Sequence, residues 1–139
     1  MKNRKKLIVC GSIGYGGIED IEGMYTKLGD EGFEILNHIR GKDMDYSAIR
    51  DFRDEDELCQ RIVNHDLEYV DKADVLVVIF NGPSYGTAME MYYAKQKGKK
   101  IVLLAEKEIA TPWPVHFSDY VVKSQDELFR VLRDLEKEE

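Results

Sequence analysis

Asp74-Val75-Leu76-Val77-Val78-Ile79-Phe80, running into Asn81-Gly82-Pro83-Ser84-Tyr85-Gly86, is the stretch on which the fold turns. An apolar run rich in Val, Ile and Leu enters a turn bearing glycine and proline, with helical patterns on both sides, which is the signature of a βαβ unit. The same alternation extends outward in both directions. Strands are expected near Lys6–Cys10, Phe33–His38, Asp74–Phe80, Lys100–Ala105 and Tyr120–Val122, and helices near Ile18–Glu31, Asp56–Lys72, Thr87–Lys97 and Gln125–Lys137. Five strands and four helices joined by right-handed crossovers imply an α/β fold. It is a flavodoxin- or Rossmann-like three-layer sandwich whose parallel sheet has the order 2-1-3-4-5. Such a sheet binds ligands where the loops after strands 1 and 3 diverge.

At 139 residues and 43% hydrophobic composition the chain fits one domain, 1–139. A net charge of −7 repels polyanions, so general nucleic-acid and anionic-membrane partners are excluded, while a small anionic ligand held by backbone N–H groups is not. The basic start Met1–Lys6 resembles a signal-peptide n-region, but the apolar run behind it, Leu7–Cys10, is too short for export. No segment approaches the roughly 20 apolar residues of a membrane span. With Cys10 and Cys59 read as separate buried thiols, the expectation is a soluble protein of the cytoplasm.

Two loops flank the expected ligand site. Gly11-Ser12-Ile13-Gly14-Tyr15-Gly16-Gly17 has the glycines and the hydroxyl of a phosphate cradle, although it is neither a dinucleotide-binding fingerprint nor a Walker A loop. A tight strand-to-helix turn explains it equally well. The second loop leads to Thr87-Ala88-Met89-Glu90, where two readings compete. Thr87 and Glu90 have the spacing of a capping box, yet a carboxylate in the first turn after the switch-point strand can also face a ligand. Asp66 lies on the inward face of its helix with Ile62 and Val70, which calls for a hydrogen-bonding partner or a polar cavity. His38, His65 and His116 lie in different segments, and no spacing among them marks a metal site. His38 ends the second strand at the ligand edge, as a structural residue or as part of the site. The helix Ala88–Ala94 is apolar almost all round, so a homodimer through it is expected.

Three segments together resemble the nucleoside 2-deoxyribosyltransferase superfamily, most closely its 2′-deoxynucleoside 5′-phosphate N-hydrolase branch. They are Cys10-Gly11-Ser12-Ile13 with the glycines that follow, His65-Asp66-Leu67-Glu68-Tyr69 leading to Ala73-Asp74-Val75, and Pro83-Ser84-Tyr85-Gly86-Thr87-Ala88-Met89-Glu90. The resemblance implies Glu90 as the nucleophile that attacks C1′ and Asp66 as the group that protonates or orients the departing base, without a metal or other cofactor. It implies a substrate site formed by Gly11, Ser12, Ile13, Gly14, Tyr15, Gly16, His38, Ser84 and Gly86, with Ser118 contributed by a neighbouring subunit. The product is free base with 2-deoxyribose 5-phosphate, or an exchanged nucleoside if a second base accepts the sugar. A non-catalytic nucleotide-binding module is the reading from a different class.

The chain departs from the pattern of the family it resembles at three places. Ile8 stands where many have a tyrosine that orients the nucleophile, Gly14-Tyr15 where many have an arginine, and Tyr92 where many have a glycine. Tyr15 is a candidate to replace the hydroxyl, and Arg40 or Lys42 to replace the cation.

Overall fold

A computed structural model describes residues 4–13, 17–39, 46 and 48–138. Among them the elements run β1 (Lys6–Cys10), α1 (Gly17–Asp30), β2 (Glu34–Ile35), α2 (Asp56–Lys72), β3 (Val75–Ile79), α3 (Tyr85–Gln96), β4 (Lys100–Leu104), α4 (Pro112–Phe117), β5 (Tyr120–Val122) and α5 (Gln125–Glu136). The strands form one sheet of order β2-β1-β3-β4-β5, parallel throughout. The expected topology is the observed one.

Side chains alternate across a strand, so the sheet divides its apolar residues between two faces. Leu7, Val9, Val75, Val77, Val102 and Leu104 join residues of α1 and α5 in one core. Ile8, Cys10, Leu76, Val78, Ile101 and Leu103 join Val70 and Ala73 of the α2 end and Met91 and Ala94 of α3 in the other. Three layers result, with α2 and α3 on the face that also receives Glu90.

The structure differs from the sequence reading at three elements. The second strand was expected over Phe33–His38 but pairs only at Glu34 and Ile35. Beyond a last bond from Leu36 N–H to the Leu7 carbonyl, 2.8 Å, the segment turns to side-chain partners. The Leu36 carbonyl accepts from the Tyr25 hydroxyl and the His38 carbonyl meets His65 Nε2. Helix α4 was not expected: it holds six residues, two of them proline, too few for a 3.6-residue period to show. Helix α3 begins earlier than Thr87, because Ser84 is its N-cap and accepts from Thr87 N–H at 3.2 Å. The capping-box reading of Thr87 and Glu90 is therefore wrong. The cap is formed three residues upstream, and Glu90 lies a full turn inside the helix. No helix among the described residues is long and apolar enough to cross a membrane.

Candidate active site

The carboxyl ends of β1 and β3 lie side by side, and the loops leaving them are tied together. Ser12 N–H donates to Asn81 Oδ1 at 2.8 Å, and Asn81 Nδ2 donates back to the Ser12 carbonyl at 3.2 Å and to Asp20 Oδ2 at 3.3 Å. Glycine is demanded on one side of this clasp, at Gly17, and a side chain would be a tight fit on the other, at Gly11. A Cβ at Gly11 would stand 3.3 Å from the Ile79 carbonyl oxygen, and one at Gly17 would fall 1.7 Å from that of Ser12. Gly17 is thus a close-approach position with no tolerance for a side chain.

Below the clasp, α3 turns Glu90 inward, where it is 8% exposed. Helix α2 supplies Asp66, and the segment after β2 supplies His38, 3% exposed. One donor atom from each of His38, Asp66 and Glu90 lies within 4.8 Å of the other two. Among the described residues Glu90 Oε2 and Thr87 Oγ1 are buried without a hydrogen-bond partner. An orphaned carboxylate oxygen is costly for stability, and active sites are where such costs are met.

The electrostatics follow from burial. Burial, and then the charge of Asp66, pushes the Glu90 carboxyl up to about 8, while the neighbouring Cys10 thiol works the other way. Burial pushes Asp66 up to about 6, eased by His65. Two carboxyls this close cannot both ionise cheaply, so near neutral pH the pair holds about one proton in common. Burial, and then His65, lowers His38 to about 4, which leaves the ring neutral. Burial raises the Cys10 thiol well above its usual range, with Glu90 and Asp66 adding to it.

The other residues named from the sequence fall in several places. Ser84 and Gly86 line a cavity of about 770 Å³ over α2, α3 and α4, together with Asp66, Glu90, Trp113 and Phe117. Ser84 also serves as the α3 cap. Ser12 is outside that lining, held by Asn81, and its N–H is already committed. The Ile13 side chain is packed in the α1/α5 core, which leaves its main chain as the part that can meet a ligand. Ser118 ends α4, donates to the Pro114 carbonyl at 2.6 Å, and is not brought to the site of its own chain. Gly14, Tyr15 and Gly16, with Arg40 and Lys42, lie outside the described residues.

Sequence reasoning missed four contributors. Asn81 makes the clasp. Tyr25 places its hydroxyl at 2.9 Å from Val9 N, 2.8 Å from the Leu36 carbonyl and 2.7 Å from His38 Nδ1. His65 Nε2 reaches the His38 carbonyl at 2.7 Å, and its ring packs on Tyr69 at 4.6 Å. Tyr46 packs on Phe52, and burial, with added repulsion from Asp66 and Glu90, pushes its phenol up to about 12. The available signal was Tyr25 itself, a phenol in the inward stripe of α1 with Ile21 and Leu28, where a buried hydroxyl needs partners.

No family model matches the chain, and no curated protein does. Among solved structures it is similar to a 2-deoxyribosyltransferase from Bacillus psychrosaccharolyticus, at 19% identity and a TM-score of 0.65 over 96% of this chain and 92% of the other. A conserved protein from Enterococcus faecalis V583 aligns at 17% identity and a TM-score of 0.67, covering 96% of this chain and 99% of that one. The CMP N-glycosidase BcmB of Clostridium botulinum aligns at 21% identity and a TM-score of 0.54 over 94% and 98% of the two chains. The chain shares its α/β fold with these proteins, a 2-deoxyribosyltransferase and a CMP N-glycosidase among them.

Proposed function

We propose that the protein hydrolyses the N-glycosidic bond of 2′-deoxynucleoside 5′-monophosphates through a covalent intermediate on Glu90. The observation that carries this reading is the pairing of buried Glu90 with half-buried Asp66 at the carboxyl edge of β1 and β3, with donor atoms within 4.8 Å. That separation suits a retaining pair, which needs about 5–5.5 Å, and is too short for an inverting pair at about 6.5–9.5 Å. Burial leaves Glu90 the more basic of the two, so the productive form is the tautomer in which the shared proton has moved to Asp66 and Glu90 is ionised. A Glu90 oxygen bonds to C1′ as the C1′–N bond breaks, and Asp66 gives its proton to the departing base. Water then adds to C1′, its proton returns to Asp66, and Glu90 leaves as a carboxylate with 2-deoxyribose 5-phosphate released. If a second base replaces water, the same intermediate gives base exchange, and the kinship in fold with a 2-deoxyribosyltransferase favours testing both.

The 5′-phosphate would sit against the Ser12 hydroxyl and the N-terminus of α3 near Ser84 and Gly86, where N–H groups and the helix dipole favour an anion. A second copy of the chain is part of the proposal. Tyr85, Met89 and Tyr92 leave α3 exposed at 89%, 68% and 55%, beside Trp113 at 69%, a row of large apolar side chains better suited to an interface than to water. That partner would bring its own Ser118 region toward the site. Two free thiols, Cys10 and Cys59, fit a reducing, cytoplasmic setting.

Chromatography of each deoxynucleoside monophosphate incubated with the protein, with and without a second base, measures release and exchange. Intact-protein mass spectrometry should reveal a deoxyribosyl phosphate adduct lost in Glu90→Ala, whose circular dichroism stays that of the wild type. Undiminished base release by Glu90→Ala would refute the mechanism. Nucleotide binding with no release from any ribo- or deoxyribonucleotide would instead make the chain a binding module.

A further inference from the structure

The pairing around His38 decides which of its ring nitrogens is available to a further partner. The Tyr25 hydroxyl meets Val9 N–H, the Leu36 carbonyl and His38 Nδ1, and the main chain of His38 as well. The Leu36 carbonyl can only accept, so it takes the hydroxyl proton. The Val9 N–H can only donate, so it occupies one lone pair. The remaining contact, to His38 Nδ1 at 2.7 Å, engages that ring nitrogen with the phenol. Nδ1 is thus occupied, which leaves Nε2 as the ring nitrogen available to a further partner.

Three donors thus converge from three separate segments: one imidazole nitrogen and two carboxylates, with one atom of each within 4.8 Å of the others. Glu90 Oε2 is buried and unpartnered there, and neither carboxylate enters an ion pair among the described residues. The arrangement gathers acceptor atoms around an unpartnered carboxylate oxygen with no cation beside it among the described residues. We infer that His38, Asp66 and Glu90 form a binding site for a divalent transition-metal ion of the zinc class. One nitrogen and two carboxylates suit Zn²⁺, Mn²⁺ or Fe²⁺ better than Ca²⁺ or Mg²⁺, which prefer all-oxygen shells. A metal about 2.0–2.2 Å from each donor draws the three to roughly 3–4 Å apart, a closure of about an ångström that carboxylate rotation supplies. Three protein ligands leave a fourth position open. The Tyr25 oxygen is the outer partner that orients the imidazole through Nδ1, a feature common to metal-binding histidines.

Metal on Glu90 and attack by Glu90 exclude one another, so the ion acts as an inhibitor. That consequence rests on the proposed reaction, whereas binding itself does not. The test titrates chelator-stripped wild-type protein with Zn²⁺ against a chromophoric chelator at pH 7.5, and with Co²⁺ followed by visible absorption. One equivalent per chain is expected, weakened about ten-fold or more in Asp66→Asn and in His38→Gln, and unchanged in Cys59→Ser and His116→Ala. Circular dichroism establishes that each variant is folded. No stoichiometric binding, or binding that survives in both ligand variants, or binding lost in either control, overturns the site. In the same preparations, base release suppressed by Zn²⁺ and restored by chelator supports the inference, and base release indifferent to saturating metal overturns it. Stoichiometric binding that depends on His38 and Asp66, with no base release from stripped protein, keeps the metal site and counts against the glycosidase reading alone.

Discussion

Glu90 and Asp66 each answer the other's charge, and the pH behaviour of the protein follows from that. A pair sharing one proton is productive only while it holds one, so base release is expected to fall below about pH 6 and above about pH 8, giving a bell in kcat/KM. Stability has its own signature. Glu90 ordinarily titrates at 4.5 and in the fold at about 8, so between these values the folded state keeps a proton that the unfolded chain has released. Its contribution is fully present below pH 4.5 and is lost as pH rises through 8, at up to about 1.4 kcal/mol per pH unit. Glu90→Gln should therefore melt higher than wild type at pH 8.5, with the gap closing by pH 5; a gap independent of pH counts against burial as the cause. His38 has the opposite sign. Lowered from 6.5 to about 4, it stabilises above pH 6.5 and loses that contribution as pH falls through 4. At this scale the sequence made Glu90 and Asp66 legible, one by its motif and one by a charge on an apolar stripe. It hid the Tyr25–His38 bond, because the partners come from a helix and from the end of an edge strand, and no local spacing links them.

Among the elements, the β1–α1 connection is the least forgiving. The Cβ of Gly17→Ala would overlap the Ser12 carbonyl at 1.7 Å, which forces the main chain to move. A lower urea midpoint is expected, worth roughly 1–3 kcal/mol, with weaker nucleotide binding. An unshifted midpoint would mean the turn relaxes at no cost. Ser84→Ala removes the α3 cap and should cost about 1 kcal/mol. If Ser84 also holds phosphate, KM for deoxynucleoside monophosphates rises while KM for the unphosphorylated nucleosides stays put. Element boundaries were legible wherever a run of apolar residues was long, as in β1, which matches to the residue. They failed where side chains outside the element set the end. Tyr25 and His65 draw the chain away from the sheet after Ile35, and Ser84 starts α3 before Thr87.

At the scale of the molecule, the strand order places the two loops and both carboxyls on one edge, and this was legible because parallel sheets leave few topologies open. Assembly is read from α3, whose inner face buries Glu90 and Met91 while its outer face carries Tyr85, Met89 and Tyr92. Light scattering should give a dimer mass at micromolar concentration, and Met89→Glu with Tyr92→Glu should give a monomer; a monomeric wild type sinks the interface. The clasp between Ser12 and Asn81 has a thermodynamic consequence of its own. With both polar groups of the Ser12 main chain bound by one side chain, that wall of the crevice is ordered before any ligand arrives, so association there carries little entropic penalty. The wall acts as a rigid die against which a substrate is pressed.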